Sequence, residues 1–230
     1  MLLVLSSHAD RVAPAVLEHW RAGGGRVEIL TCHDLAQRGW RLGLDDEPTL
    51  VVAGKPVAAS NVDGVLVRLA GATPFEVPFV DAQDREYAAA EMHGFLVALL
   101  DRMPCPVINR PTPGCLCGPA WSQEQWVRAA IDAELEVTDA SRRVYAGGEV
   151  EESAPPAGRE VRVAHVVHER CFGDVSEAVR EAAVALARGA GVDLLRVQFD
   201  GAERPRFLHA DFWVDVADPE IAGAIRARFA

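Results

Sequence analysis

Three polar side chains near the C-terminus are the strongest candidates for chemistry. Gln198, His209 and Asp211 lie in two apolar segments, Leu194–Phe199 and Arg206–Trp213, that flank the turn sequence DGAERP and predict a β-hairpin. Because side chains alternate along a strand, His209 and Asp211 share a face, with Gln198 across from them. The functional interpretation is a pocket in which Asp211 orients His209 as a base or ligand. The alternative is a polar row at the surface of the sheet.

The same hairpin resembles the C-terminal hairpin of ATP-grasp ligases. In that family an Asp on the first strand, and a Glu and an Asn on the second, hold the magnesium ions of MgATP. On this pattern the Asp falls on Gln198, the Glu on His209 and the Asn on Asp211. Magnesium prefers hard, anionic oxygens in octahedral geometry, and these three side chains supply one carboxylate. The resemblance therefore implies ATP-grasp ancestry with loss of the metal site, and we expect no metal and no cofactor.

The N-terminal half extends the resemblance. The segment VDGVLVRL, a long helix over Asp81–Met103 and the segment PVINRP resemble, in this order, the pre-ATP-grasp domain of peptide-modifying ATP-grasp ligases. On this pattern Arg68 ends a central strand and Asn109 opens the loop after a later one. Open α/β sheets bind ligands at the carboxyl ends of their strands, so both residues are predicted to contact a ligand. The alternative for Arg68 is a structural ion pair with an acidic neighbour: Asp63, Glu86 or Glu91.

Two absences argue against nucleotide binding. Lys55, in the turn of VVAGKPVAA, is the only lysine, whereas ATP-grasp enzymes normally hold nucleotide phosphates with lysines. Arginine also binds phosphate, so this observation weighs against ATP without excluding it. After a helix predicted over Ser122–Ala133, the segment SRRVYAGGEVEE resembles the start of the second ATP-grasp subdomain. The resemblance therefore implies that the chain is truncated and lacks the nucleotide-binding subdomain.

Basic residues in neighbouring segments complete the predicted ligand-binding set. In the strand predicted for REVRVAHVVHE, His168 shares a face with Arg162, which suits an anionic ligand, and Arg196 lies on the first strand of the terminal hairpin. His165 and His168 are three positions apart and face opposite sides of a strand, so their spacing does not favour zinc. The CLCG motif lacks the second ligand pair of a zinc site and is interpreted as part of a loop.

Composition excludes several classes of protein. The chain has 230 residues, 50% of them hydrophobic, and a formal net charge of −11. This charge disfavours nucleic acid and anionic membrane surfaces as partners. No apolar run is long enough to span a membrane, and the opening MLLVLSS is typical of a first strand rather than of a signal peptide. The five cysteines are widely spaced, which favours reduced thiols and a cytoplasmic location.

The order of elements predicts an α/β protein with two domains. Residues 1–120 are expected to form a partly parallel, pre-ATP-grasp-like sheet with helices on its faces. Residues 121–230 are expected to form a mostly antiparallel α+β remnant of the ATP-grasp C-terminal subdomain. The Pro- and Gly-rich segment Glu152–Glu160 is predicted to be a linker.

The leading functional hypothesis is an ATP-grasp-related protein that has lost ATP and magnesium binding. It binds a small molecule or peptide as an accessory component of a biosynthetic pathway. Two alternatives remain: an ATP-independent enzyme built around His209 and Asp211, and an amide ligase completed by a partner chain. Loss of a subdomain exposes apolar sheet surface, which predicts a homodimer or association with a complete ATP-grasp enzyme. The sequence does not identify the ligand.

Overall fold

The computed structural model describes residues 1–43, 46–137, 143–144, 150–151, 161–201 and 205–229. They form two compact units, of which unit 1 comprises residues 1–120 and 215–230 and unit 2 comprises residues 121–214. The predicted linker Glu152–Glu160 lies outside the described residues.

The described elements alternate between strands and helices along much of the chain. The strands are β1 (Leu2–Ser6), β2 (Val27–Leu30), β3 (Thr49–Val52), β4 (Lys55–Ala58), β5 (Gly64–Arg68), β6 (Val107–Ile108), β7 (Arg143–Val144), β8 (Val150–Glu151), β9 (Val161–Val167), β10 (Arg170–Phe172), β11 (Leu194–Asp200) and β12 (Phe207–Asp211). The helices are α1 (Ala13–Ala22), α2 (Cys32–Leu35), α3 (Arg85–Asp101), α4 (Gln123–Asp132), α5 (Glu177–Ala190) and α6 (Pro219–Arg226). Short 3₁₀ turns occupy Ala59–Asn61, Pro74–Glu76 and Ala227–Phe229.

Unit 1 is built on a four-stranded parallel sheet in the order β2-β1-β5-β6. Every residue of β1 and of β5 is buried, as expected for parallel strands covered on both faces. The register pairs Ser6 with Arg68, so the last residues of these neighbouring strands lie side by side. The predicted partly parallel α/β sheet is confirmed, and its carboxyl edge carries Ser6 and Arg68, with Asn109 directly after β6.

The C-terminal helix packs against α1 in unit 1. Trp20 of α1 is fully buried and donates its indole N–H to the carbonyl of Ala222 on α6 at 2.8 Å. Arg226 of α6 donates to the carbonyls of Trp20 at 3.1 Å and Gly23 at 2.8 Å, at the end of α1. Unit 2 therefore differs from the predicted second domain of residues 121–230, because the residues from 215 onward belong to unit 1.

Unit 2 is built on a four-stranded antiparallel sheet in the order β10-β9-β11-β12. One face of this sheet packs against α4 and α5 through an apolar core that includes Trp126, Ala183, Val197, Phe199 and Phe207. The register shifts between Gln198 and Phe199, so that Phe199 pairs with Phe207 and both rings are fully buried. The predicted antiparallel C-terminal subdomain is confirmed, and one of its sheet faces is committed to the core.

The hydrogen bond between Trp20 and Ala222 gives a test of how α6 is attached. We expect Trp20→Phe to lower the free energy of unfolding by about 1–3 kcal/mol, because a buried carbonyl loses its donor. Urea denaturation followed by far-ultraviolet circular dichroism measures the change. Trp40, 43% exposed, provides the control Trp40→Phe, for which we expect little change. Equal unfolding midpoints for the two variants would contradict this packing.

Candidate functional site

The sheet face of unit 2 opposite α4 and α5 carries a group of polar side chains, which we call the polar face. The register pairs Arg196 of β11 with Asp211 of β12 on one side and with His165 of β9 on the other. Two residues after Arg196 on β11, Gln198 pairs with His209 of β12. Because directly paired residues of antiparallel strands share a face, the five side chains lie on one surface. The predicted placement of His209, Asp211 and Gln198 on one face agrees with this register.

Arg196 binds the carboxylate of Asp211 in a bidentate manner. Its Nε lies 2.9 Å from Oδ1 and 3.0 Å from Oδ2 of Asp211, and its Nη2 lies 2.5 Å from Oδ2. The backbone N–H of Trp213 also donates to Oδ1 at 2.8 Å. Charge-assisted bonds of this geometry are among the stronger hydrogen bonds in proteins. Both oxygens of the one carboxylate in the predicted set are therefore already engaged by a cation.

Gln123 orients His209. The amide Nε2 of Gln123 donates to the carbonyl of Leu208 at 2.6 Å, which directs its Oε1 to Nδ1 of His209 at 2.9 Å. An amide oxygen only accepts, so the neutral imidazole carries its proton on Nδ1 and presents Nε2 as an acceptor. Nε2 lies 3.8 Å from Oδ2 of Asp211, beyond hydrogen-bonding distance. The hydrogen bond to the ring therefore comes from Gln123, and an orienting role of Asp211 stays a prediction.

The sequence analysis missed Gln123 because it lies 86 positions from His209. Its place is set by the start of α4, where Ser122 and Gln125 form a capping box. Gln123 is the first residue of this helix, so a well-defined helix start fixes a side chain that reaches β12. The capping pattern is present in the sequence, but no local pattern indicates that this helix start packs against β12.

The polar face does not fit magnesium. Gln198 offers a neutral carbonyl and His209 an imidazole, while Asp211 is already paired with Arg196. Across the described part of the chain, no group of three or more His, Cys, Asp or Glu side chains is placed to hold a metal ion. A hard divalent cation would have to displace a guanidinium and would then find one anionic ligand. The residues present therefore fail the requirements of the metal that the fold family uses.

Two of the predicted ligand-binding residues lie away from the polar face. Arg162 pairs in register with Phe199, a core residue, and so belongs to the opposite face of the sheet. His168 follows β9 in a turn with φ of 56°, where its Nδ1 lies 2.8 Å from Oδ1 of Asp193. The expected anion-binding pair of Arg162 and His168 is not formed. His165, which the analysis had weighed only for zinc, lies on the polar face instead.

In unit 1, Arg68 is buried at the carboxyl edge of the parallel sheet and binds Asp10. Its Nε lies 2.8 Å from Oδ2 and its Nη2 3.4 Å from Oδ1 of Asp10. Asp10 in turn accepts from the backbone N–H groups of Val12 at 2.9 Å and Ala13 at 3.1 Å, and so holds the turn that leads into α1. Asp10 is not among the acids predicted as partners of Arg68, which were Asp63, Glu86 and Glu91. Arg68 therefore ties a strand end to a helix start.

The surroundings of Asp10 lower the pKa of its carboxyl group. Burial alone raises this pKa, but hydrogen bonds from the Arg68 side chain and the Val12 backbone outweigh burial, and the pKa falls below its ordinary value of 3.8. Asp10 is therefore a carboxylate at neutral pH, and the pair with Arg68 is an ion pair.

Asn109 is buried and supports the loop that contains the CLCG motif. Its Nδ2 donates to the carbonyl of Cys117 at 2.9 Å. The Sγ atoms of Cys115 and Cys117 lie 3.7 Å apart, and this hydrogen bond together with burial raises the pKa of the Cys117 thiol. Asn109 and Arg68 are both less than 10% exposed, and their contact with a ligand stays a prediction.

Lys55, the sole lysine, lies at the start of β4 in a two-stranded antiparallel sheet with β3. Its side chain is exposed. The predicted hairpin position of this residue agrees with the structure.

Comparison with known proteins identifies the fold. No family model and no curated protein sequence matches the chain. Solved structures do match: the macrocyclase MdnC bound with precursor peptide MdnA from Microcystis aeruginosa has a TM-score of 0.71 at 12% identity, covering 100% of this chain and 99% of that one. The ATP-grasp ligase PsnB, complexed with a phosphomimetic variant of its minimal precursor, Mg and ADP, has a TM-score of 0.74 at 15% identity, covering 100% and 98%.

A third solved structure matches the chain at a similar TM-score and a similarly low identity. The Chryseobacterium gregarium RiPP-associated ATP-grasp ligase, in complex with ADP and a leader and core peptide, has a TM-score of 0.70 at 10% identity, covering 97% of this chain and 94% of that one. The chain therefore has an ATP-grasp-like fold, as the two sequence resemblances predicted. None of the described helices has both the length and the apolar character needed to span a membrane.

The ion pair of Arg68 and Asp10 predicts a pH-dependent stability. We expect Arg68→Met to lower the free energy of unfolding by about 3 kcal/mol at neutral pH, because Asp10 is left as a buried, unpaired charge. A carboxylate whose folded pKa is lowered contributes stability above its unfolded pKa and loses it as the pH falls through the folded value. The difference from wild type should therefore shrink below pH 3.8.

Urea titrations at a series of pH values from neutral to acidic measure this difference. The control Arg128→Met removes an exposed ion pair with Asp132, whose side chains are 77% and 59% exposed, and should change little. A difference for Arg68→Met that stays constant through the acidic range would contradict the role given to Asp10.

Proposed function

We propose that this chain is an ATP-grasp-related protein that has lost MgATP binding and binds a peptide or small molecule as an accessory component of a biosynthetic pathway. The observation that carries the proposal is the bidentate pair of Arg196 and Asp211 at 2.5–3.0 Å. Absence of the nucleotide-binding subdomain is part of the same proposal, and it is supported by the sequence, which has one lysine.

Electrostatics explains why this pair opposes magnesium. A divalent cation at Asp211 would stand within a few ångströms of the guanidinium of Arg196, and like charges repel strongly where water is partly excluded. The side chains of Arg196 and Asp211 are 31% and 15% exposed, so solvent screens this repulsion incompletely. Binding of the ion would also require Asp211 to give up its hydrogen bonds. The charges of Arg196 and Asp211 thus balance each other without an ion.

The same groups suit a ligand that is recognised by hydrogen bonds. Gln198 offers both a donor and an acceptor, and His209 offers the acceptor Nε2. Three structural neighbours are described in complexes with precursor peptides, which supports a peptide as the ligand class. A homodimer, or a complex with a complete ATP-grasp enzyme in the cytoplasm, belongs to this proposal.

Metal binding tests the proposal directly. We expect calorimetry to detect no binding of MgATP by the wild-type chain at millimolar nucleotide. The variant that combines Arg196→Leu, Gln198→Asp, His209→Glu and Asp211→Asn restores an acidic set and should bind Mn²⁺, a probe for magnesium sites, at least about tenfold more tightly than wild type. The single change Arg196→Leu is the matched control for loss of the cation alone.

Micromolar binding of MgATP by the wild-type chain would sink the proposal. Binding or turnover that appears only after a complete ATP-grasp protein is added would favour a ligase completed by a partner chain.

The bond between Gln123 and His209 favours a second function, an ATP-independent enzyme in which Nε2 of His209 acts as a base. We expect long-range ¹⁵N–¹H spectra to show neutral His209 with its proton on Nδ1. In the variant Gln123→Leu, the proton of neutral His209 should no longer be confined to Nδ1. His168, whose Nδ1 contacts Asp193 at 2.8 Å and which is similarly exposed at 44% against 47%, is the control and should not change. A proton on Nε2 in the wild type would contradict this hypothesis, because Nε2 could then not act as a base.

A further inference from the structure

Three exposed aromatic side chains lie close together along the chain in unit 1, and we call them the aromatic patch. Phe75 is 60%, Phe79 45% and Tyr87 72% exposed. Single exposed apolar residues are ordinary, but several aromatic rings concentrated in one short segment are typical of a surface that binds a partner. Aromatic side chains of this kind supply much of the binding energy in known interfaces.

The first two rings are held by histidines from the loops that follow neighbouring strands. The ring of Phe75 stacks on His8, which follows β1, with 4.5 Å between centroids. The ring of Phe79 meets His33 of α2, after β2, edge to face at 5.2 Å. Since β1 and β2 are adjacent in the sheet, both rings lie near its carboxyl edge. The patch is therefore attached to regular structure rather than to an isolated loop.

Hydrogen bonds fix the backbone that carries the patch. Arg85, at the start of α3, donates to the carbonyls of Val80 at 2.8 Å and Pro78 at 3.0 Å. Glu76 is buried and accepts from Nδ1 of His8 at 3.3 Å. A surface that is already ordered loses less conformational entropy when a partner binds. The rings of Phe75 and Phe79 are thus presented to solvent on an ordered backbone.

The charge beside the patch is negative. Four exposed acids follow Phe79 within the same segment and the first turns of α3: Asp81, Asp84, Glu86 and Glu91. The one basic residue among them, Arg85, has its guanidinium bound to two carbonyls. With a net charge of −11, a second copy of the chain would bring like charge to this surface. The complementary occupant is cationic and has apolar side chains for the rings.

We propose that the aromatic patch binds a peptide segment that combines basic residues with apolar side chains. The inference rests on the proposed peptide-binding function and goes beyond it by giving unit 1 a binding surface of its own. The apolar side chains contact Phe75, Phe79 and Tyr87, while Lys or Arg side chains approach Asp81, Asp84 and Glu86. Opposite charges accelerate association and select the partner, and the rings supply the affinity.

Fluorescence anisotropy with three synthetic peptides tests this surface on the full chain. The first peptide alternates Lys with Leu and Phe, the second replaces each Lys with Glu, and the third replaces each apolar residue with Ser. We expect only the first to bind in the micromolar range. Phe75→Ala and Tyr87→Ala should each weaken binding of this peptide by about tenfold or more. Both side chains are mostly exposed, so circular dichroism should show an unchanged fold.

Charge variants separate the aromatic from the electrostatic contribution. The triple variant Asp81→Asn, Asp84→Asn and Glu86→Gln should bind the first peptide severalfold more weakly than wild type at low salt. This difference in affinity should shrink as the salt concentration rises. The matched control neutralises as many exposed acids elsewhere: Glu18→Gln, Glu181→Gln and Glu220→Gln. Ile131→Ala, on α4 and 50% exposed, is the control for loss of an exposed apolar side chain. Both controls should bind like wild type.

Several results would overturn the proposal: equal binding of the Lys and Glu peptides, binding unchanged by Phe75→Ala and Tyr87→Ala, or no binding at about 100 μM. The outcome is distinguishable from failure of the proposed function. Binding of MgATP by wild type would refute the loss of nucleotide binding and leave this test unchanged. Peptide binding that is insensitive to Phe75→Ala but lost in Arg196→Leu would place the peptide on the polar face.

Discussion

The pairing of Arg196 with Asp211 across β11 and β12 determines what the polar face is able to bind. Directly paired residues of antiparallel strands hold their side chains within reach of each other. A cation at one position therefore binds a carboxylate at the other. With a guanidinium at 196, the carboxylate of Asp211 is satisfied by three contacts of 2.5–3.0 Å. A metal-binding hairpin needs the opposite arrangement, in which acids face one another and an external cation relieves their repulsion.

The rest of unit 2 maintains this arrangement through ordinary folding constraints. The face of the sheet toward α4 and α5 is apolar and includes Val197, Phe199 and Phe207, and strict alternation sends their neighbours Arg196 and Gln198 to the other side. A change of register by one residue would bury the guanidinium and expose the core, so the core fixes the position of the charge pair. Gln123 adds a tertiary contact that holds the imidazole of His209.

The sequence was sufficient for those features that depend on local periodicity. Alternation in Phe207–Asp211 placed His209 and Asp211 on one face, and the apolar runs of β1 and β5 predicted a buried parallel sheet. Features that depend on long-range pairing were missed. The partner of Asp211 depends on the register of β11 with β12, which includes a shift beside Gln198 that no periodicity reveals.

The same reason explains two of three other differences between sequence and structure. Asp10 is 58 positions from Arg68 and meets it only because β1 and β5 are neighbours. The packing of α6 on α1 joins Trp20 to Ala222 over 202 positions. His168 leaves the expected strand face because its backbone turns to a φ of 56° after β9. The first two contacts are set by the assembled fold, and the third difference by a backbone turn that strand alternation does not indicate.

Under the proposed loss of metal binding, Gln198, His209 and Asp211 form a single electrostatic arrangement with Arg196 rather than three separate changes. If a cluster of acids lost its metal and stayed acidic, the carboxylates would repel one another on a partly buried face. Folding would then be less favourable, or some of the carboxyl groups would stay protonated. Gln198 and His209 contribute no negative charge, and Arg196 neutralises the one that remains, at Asp211. A polar face of this kind stays folded without any ion. Under the same proposal, the polar face presents hydrogen-bonding groups at the positions where the ATP-grasp pattern has metal ligands.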